Sequence, residues 1–186
     1  MLKKILILFF LTFSLIKPLY ASVEKKIISN LLKIENFTFN FKQTIDEKTE
    51  VGVCTIQYPK KIFCEYKSLN KKIMVSNGKS LVIKNKVNNQ YYLYPLKKTP
   101  LNLILDKNFL INEIKNLKSR IIDNKYINFT ILKNDNEINI FFDKENLNLI
   151  GWQMEDVYQN LVVTYIYEIQ YNRKIDEKIF KLPKMN

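Results

Sequence analysis

Between Glu50 and Tyr66, apolar and polar residues alternate on both sides of a Pro59-Lys60 dipeptide. Going in, Cys54, Ile56 and Tyr58 alternate with Val53, Thr55 and Gln57; coming out, Ile62, Cys64 and Tyr66 alternate with Lys61, Phe63 and Glu65. A period of two marks a strand with one buried face, and directly opposed residues of an antiparallel pair share a face. The stretch therefore predicts a β-hairpin with Pro59-Lys60 at its tip and one apolar side made of even-numbered residues. Upstream, Phe37, Phe39 and Phe41 alternate with Thr38, Asn40 and Lys42, which predicts a strand with an aromatic face ending at Gln43-Thr44. Downstream, Lys72 to Lys84 reads as a hairpin around an Asn77-Gly78 turn of the I′ kind, and Gln90 to Tyr94 as a tyrosine-rich strand.

Helical spacing interrupts this alternation in two places. Val23, Ile27, Leu31 and Ile34 recur at helical intervals, with Ser22 as cap and Glu24 in the first turn, predicting an amphipathic helix from Ser22 to Asn36. In mid-chain, Thr99 reads as a cap, Pro100 as a first-turn residue, and Leu101, Leu103, Ile104 and Leu105 as a short apolar helix. Asp106 to Lys118 predicts a second, with Phe109, Ile114 and Leu117 inward. Strands resume at Tyr126: Ile127, Phe129 and Ile131, then Ile138, Ile140 and Phe142, around a turn at Lys133-Asn134-Asp135-Asn136. Leu147 and Leu149 give way to Ile150, Trp152 and Met154, a slip of parity that predicts a bulge near Gly151. Asp156 to Asn160 predicts a turn, and Leu161, Val163, Tyr165, Tyr167, Ile169 and Tyr171 a long last strand. The fold class is mainly β with α: an antiparallel meander after one helix, with helices inserted in mid-chain.

Met1 to Ala21 stands apart. Lys3 and Lys4 precede an apolar run from Ile5 to Ile16, then Pro18 and a small residue at Ala21, the pattern of a cleaved signal peptide. The run is shorter than the roughly 20 residues that a membrane-spanning helix needs. Residues 22–186 are then one domain that works outside the cytoplasm. Ser22, not cysteine, follows the expected cut, so the product is not itself lipidated.

Composition changes this picture little. The 186 residues are 47% hydrophobic, enough for one substantial core. The net charge of +12 is spread over lysines along the whole chain, with Arg120 and Arg173 the only arginines, so no basic element fits a nucleic acid. The scattered lysines form a solvated surface that could help docking to an anionic membrane or an acidic partner.

Chemistry is sparse. Histidine is absent, which removes the commonest general base and metal ligand. Neither a nucleophile with a base at motif spacing nor a phosphate-binding glycine loop occurs. Asp46-Glu47 and Glu155-Asp156 fall in turns beside lysines and asparagines, as solvated carboxylates do. The reading is of a protein without catalytic residues, metal or cofactor. Cys54 and Cys64 share the inner face. If register opposes them, a disulfide closing a loop of about eleven residues would contribute about 3 kcal/mol. A slip by two residues would oppose Cys54 to Tyr66 and leave two buried thiols.

The residues resemble a family in ordered motifs: Phe37-x-Phe39-x-Phe41-x-Gln43-Thr44, Gly52 followed by Tyr58-Pro59, Met74-Val75-Ser76-Asn77-Gly78-Lys79-Ser80-Leu81, and Pro95-Leu96-x-x-Thr99-Pro100-Leu101. Gly151-Trp152-x-Met154-x-Asp156 and Phe180-x-x-Pro183 continue the series. Together they resemble LolA, the periplasmic outer-membrane lipoprotein carrier family, over nearly all of the mature chain. The resemblance implies an incomplete antiparallel β-barrel, a half-barrel, whose concave face is covered by the N-terminal helix and a mid-chain helical lid. It implies a periplasmic carrier, a monomer, that takes lipoproteins from an inner-membrane ABC transporter and passes them to the outer-membrane acceptor LolB.

On that resemblance, the acyl chains would lie against Phe37, Phe39, Phe41, Ile56, Tyr58 and Ile62. Cys64, Tyr66, Met74, Leu81 and Trp152 would complete the wall, with Leu101 and Leu105 on the lid. Tyr58 departs from the family pattern, where an arginine before the proline resembles a latch on the lid; a phenol offers one donor in place of five. A carrier of another amphiphile, such as a glycolipid, and a periplasmic protein-interaction or sensor domain fit the same alternation.

Overall fold

The computed structural model describes residues 22–67, 69, 71–133 and 136–185; the expected signal peptide and residues 134–135 of the expected turn lie outside the described residues. The strands are β1 (Asn36–Ile45), β2 (Lys48–Gln57), β3 (Lys61–Tyr66), β4 (Lys72–Asn77), β5 (Ser80–Asn85), β6 (Tyr91–Pro95), β7 (Arg120–Ile122), β8 (Tyr126–Lys133), β9 (Asn136–Asp143), β10 (Leu149–Glu155) and β11 (Leu161–Tyr171). They form one antiparallel sheet in the order β6-β5-β4-β3-β2-β1-β11-β10-β9-β8-β7. The first and last strands of the chain's sheet are therefore joined at its middle, and β6 and β7 are left as unpaired ends, so the half-barrel stays open. Helices α1 (Val23–Leu32), α2 (Leu101–Ile104) and α3 (Lys107–Asn116) lie against the concave face.

The core follows from β1. Phe37, Phe39 and Phe41 are all buried and meet Ile27 and Leu31 of α1, Ile104 of α2 with Leu105 beyond it, and Leu110, Ile111 and Ile114 of α3 in one cluster. Phe37 and Phe39 stack at 5.2 Å, and Trp152 meets Phe39 edge-on at 6.2 Å. Helix α1 stops at Leu32, earlier than its periodicity suggests, because the backbone turns into β1. There the Glu35 N–H donates to Asn172 Oδ1 (2.8 Å), beyond the end of β11.

Register settles the cysteines. Cys54 is opposite Cys64, and the two are joined by a disulfide with an S–S distance of 1.98 Å. The parity slip near Gly151 is a bulge: β10 pairs Leu149 with Phe142 but Gly151 with Phe141, leaving Ile150 extra.

Three local expectations need correction. In the β4–β5 hairpin, Ser76 faces Leu81, so the two-residue turn is Gly78-Lys79, not Asn77-Gly78. Gly78 takes φ +95°, and the Asn77 side chain accepts from the Lys79 and Ser80 N–H groups. Thr99 does not cap α2; its hydroxyl donates back to the Leu96 carbonyl (2.8 Å), closing the short 3₁₀ turn Leu96–Lys98. Along β11 the inward residues are Val162, Thr164 and Ile166, while Leu161, Val163, Tyr165 and Tyr167 are exposed on the convex side. Val163 and Tyr165 oppose Thr44 and Lys42, which are themselves outer positions of β1. Only past Glu168 (φ 52°), where the register shifts, do Ile169 and Tyr171 turn toward the core.

The convex side has a small core of its own. Val75 and Val82 are paired and buried, and the 3₁₀ turn Glu177–Phe180 crosses β3 and β4 with Phe180 buried. Lys61 anchors this turn through Glu177 (2.7 Å), and the buried Lys84 Nζ donates to the Lys184 carbonyl (2.9 Å).

The central hairpin supplies two tests of stability. Gly52 lies opposite Phe41, where an added Cβ would come within 2.2 Å of the Glu65 carbonyl oxygen and 2.6 Å of the Phe41 ring. Gly52→Ala should lower unfolding free energy by about 1–3 kcal/mol through overpacking, read as a shifted denaturation midpoint. Replacing Cys54 and Cys64 together by serine should cost about 2–5 kcal/mol. The same loss should appear in the native protein on adding a reductant, and the double variant should no longer respond to reductant.

Candidate functional site

The concave face is longer than the helices that cover it. Helices α1 and α3 close one end, where Phe37, Phe39, Ile56 and Leu105 are buried in the core and do not line the cavity at the other end. Toward the other end lies a cavity of about 170 Å³. Its walls are Phe41, Cys54, Ile62, Cys64, Tyr66, Met74 and Leu81 from β1 to β5, Trp152 and Val162 from β10 and β11, and Pro100 and Leu101 at the start of α2. Of the residues that the sequence nominates, Phe41, Ile62, Cys64, Tyr66, Met74, Leu81, Leu101 and Trp152 thus border the cavity.

Alternation explains the lining. Cys54 opposes Cys64, and Cys64 opposes Met74, so one row of inward side chains crosses three strands at the same height. Ile62, Ser76 and Leu81 form the next row. Ser76 is buried but satisfied, its hydroxyl donating to the Lys60 carbonyl (3.0 Å) and accepting from the Gly78 N–H.

The mouth is polar. Tyr66 donates to Gln43 Oε1 (3.2 Å), and Gln43 Nε2 donates to Thr164 Oγ1 (3.0 Å). Lys72 Nζ lies 3.8 Å from the Tyr66 ring centroid and is paired with Glu50. Burial first, and the Glu50 carboxylate second, push the Tyr66 phenol above its ordinary range, so this phenol stays neutral at any physiological pH. Tyr94 of β6 and Tyr158 of the β10–β11 turn meet hydroxyl to hydroxyl at 3.0 Å. That hydrogen bond, with burial second, raises the Tyr94 phenol to about 12.

Tyr58 is placed elsewhere. It borders a separate polar cleft with Glu35, Gln57, Asp106 and Lys107, its ring 5.9 Å from Phe37 and 5.6 Å from Lys107 Nζ. Burial, then Tyr171 and Asp106, push its phenol above the ordinary range.

The lid is held by the hairpin tip two residues on. Lys60 N–H donates to the Leu105 carbonyl (2.8 Å) and Lys60 Nζ pairs with Asp106 (3.2 Å), the residue whose side chain caps α3 through the Phe109 N–H. Lys107 Nζ adds a bond to the Ile34 carbonyl (2.7 Å) at the end of α1. Sequence reasoning missed Lys60. Its signal is weak, a basic residue at a turn tip and an acidic cap far along the chain. The ion pair is partly solvated and worth about 0–1 kcal/mol, so the lid is tied without being locked.

Among the described residues no cluster of three or more cysteine or acidic side chains is gathered as metal ligands, and no helix is long and apolar enough to cross a membrane. The arrangement can enclose apolar matter and exclude water.

Comparison with known proteins agrees on the fold. A family model described as outer membrane lipoprotein carrier protein LolA matches residues 32–183. An uncharacterised conserved protein from Thermus thermophilus has a similar structure, with TM-score 0.51 at 9% identity, over 87% of this chain and 93% of that one. A LolA superfamily protein from Nitrosomonas europaea gives TM-score 0.44 at 10% identity, over 87% and 99% of the two chains. A putative outer membrane lipoprotein-sorting protein domain from Vibrio parahaemolyticus gives 0.46 at 6%, over 86% and 97%. The comparison with curated proteins returns no match. With its family model covering residues 32–183, an open eleven-stranded half-barrel and helices on the concave face, the chain belongs to the LolA family of outer membrane lipoprotein carrier proteins.

Proposed function

We propose that the chain is a soluble periplasmic carrier that shields the acyl chains of lipoproteins between the two membranes. The observation that carries this reading is the apolar cavity between β1–β5, β10–β11 and α2, continuous with a core that the helices close. Its 170 Å³ is below the roughly 300–1,000 Å³ of ordinary ligand pockets, so loading requires α2 and the lid residues Leu101 and Leu105 to move away from the sheet.

The energetics suit a carrier. Each buried methylene is worth about 0.8 kcal/mol, so a long acyl chain gains on the order of 10 kcal/mol from leaving water. Uncovering the apolar side of the lid offsets part of that gain and keeps the cargo releasable. On this reading an inner-membrane ABC transporter loads the carrier and an acceptor such as LolB unloads it. Direction comes from the transporter and the acceptor's affinity, and no covalent step occurs on the carrier. Another amphiphile would be carried by the same means. The exposed row Leu161, Val163, Tyr165 and Tyr167 favours a second reading, a periplasmic protein-binding domain.

The test is release. Spheroplasts that hold the cognate transporter and make a labelled outer-membrane lipoprotein are incubated with the purified mature chain. Label should appear in the supernatant as a one-to-one complex. Met74→Glu, a charge on the half-buried cavity wall, should cut release at least about tenfold while the protein remains folded. Absence of release by the folded wild-type chain would exclude lipoprotein carriage and favour the protein-binding reading.

A further inference from the structure

Exposed apolar side chains are divided unevenly between the two ends of the sheet. The turns 58–60, 78–79, 123–125 and 144–148 share one end and carry no exposed large apolar residue. At the other end the β3–β4 turn presents Leu69 at 97% exposure and the β5–β6 turn presents Val87 at 61%. The second of these tips is held outward by its own hydrogen bonds. Asn85 Oδ1 accepts from the Val87 and Asn88 N–H groups, and the Asn85 N–H donates to the Gln90 carbonyl (2.9 Å). An apolar side chain in water on a well-bonded turn calls for a partner.

The surrounding charge says what kind. Lys67 and Lys71 flank Leu69, Lys86 precedes Val87, and neither turn contains a carboxylate. Lys67 and Lys71 are exposed and form no ion pair among the described residues. The nearest acids are on the strands below, where Glu65 pairs with Lys86 (3.9 Å) and Glu50 with Lys72, and at the neighbouring β1–β2 turn, where Asp46 and Glu47 precede Lys48. Single apolar tips set among lysines lack the contiguous apolar centre of a protein interface. A bilayer takes such side chains one at a time, burying each in the acyl boundary while ammonium groups meet anionic head groups.

We propose that the β3–β4 and β5–β6 turns form a reversible docking point for an anionic lipid surface, with Leu69 and Val87 entering the acyl boundary and Lys67, Lys71 and Lys86 at the head groups. Lys72, which begins β4 directly after the first of these turns, borders the cavity, so docking sets the cavity mouth beside the bilayer. The inference concerns the protein without cargo and does not rest on the carrier reading.

The test is flotation of the purified mature chain, free of cargo, with vesicles of phosphatidylcholine alone or of an equimolar mixture with phosphatidylglycerol. Each lysine near an anionic surface adds roughly fivefold to affinity, so wild type should bind the mixed vesicles at least about tenfold more tightly at low salt and lose most of that margin at high salt. Replacing Leu69 and Val87 together by serine should weaken binding to both kinds of vesicle about tenfold. Replacing Lys67 and Lys71 together by glutamine should weaken it on the mixed vesicles alone. All four positions are exposed turn residues, so both variants should remain folded. In Leu69→Trp, emission from the new indole should be quenched by lipids brominated on their acyl chains, while the buried Trp152 of wild type should not be. Wild type that binds neither vesicle, a serine variant that binds as wild type does, or an unquenched Leu69→Trp overturns the proposal. Loss of transfer to an acceptor protein by the serine variant, with no vesicle binding by wild type, would make these turns a protein contact and overturn the lipid assignment.

Discussion

The row Phe37, Phe39 and Phe41 has to be kept out of water, and the rest of the molecule is arranged to do so. Three aromatic side chains on one face of the central strand present an apolar load too large for a sheet to hide by itself. β2 and β11 flank that strand, so the load lies at the deepest point of the half-barrel. Helices α1 and α3 cover one end of it, and α2 with the Leu105 segment covers the middle. What they leave, over Phe41, the cysteine pair and Trp152, is the cavity. Core and cavity lining are thus one continuous surface. The boundary between them is set by where the helices end and not by any change in residue type.

The cover is held by modest forces. Apolar contacts of Leu101, Ile104 and Leu105 draw the lid onto the sheet, while its polar ties are one backbone hydrogen bond and one partly solvated ion pair from Lys60, with Lys107 reaching α1. On the proposed carrier reading, acyl chains would compete for the same contacts in kind. A cover that is fixed mainly by hydrophobic burial can be replaced by a hydrophobic ligand at little net cost, since the apolar surface exchanged is similar. The disulfide pins β2 to β3, so on that reading the wall would keep its form when the lid moves.

Much of this was legible in the alternation. Alternation put Cys54 and Cys64 on one face, and register made them partners; the slip from Leu149 to Trp152 pointed to a bulge near Gly151, which falls at Ile150. The outer row of β11 was not legible. Leu161, Val163, Tyr165 and Tyr167 read like a core face, and only their pairing with the outer positions of β1 turns them to solvent. The hairpin turn moved by one residue because Asn77 serves better as an acceptor for two backbone N–H groups than inside the turn. Division of the apolar residues into core and cavity lining depends on contacts far apart in sequence. Ile56 and Ile62 face each other in one hairpin, yet only Ile62 borders the cavity. Lys60, which ties the lid, had only the weak signal of a basic residue at a turn tip, with its acidic partner far along the chain.

The central claim is that lid and ligand share one apolar face in turn. Hydrogen exchange on the carrier with and without an acylated cargo tests it most directly. With cargo bound, the amides of Leu103 to Asp106 should lose protection while those of β1 and β2 keep theirs. Equal or greater protection of the lid in a saturated complex would contradict the account, since the ligand would then lie somewhere other than beneath it.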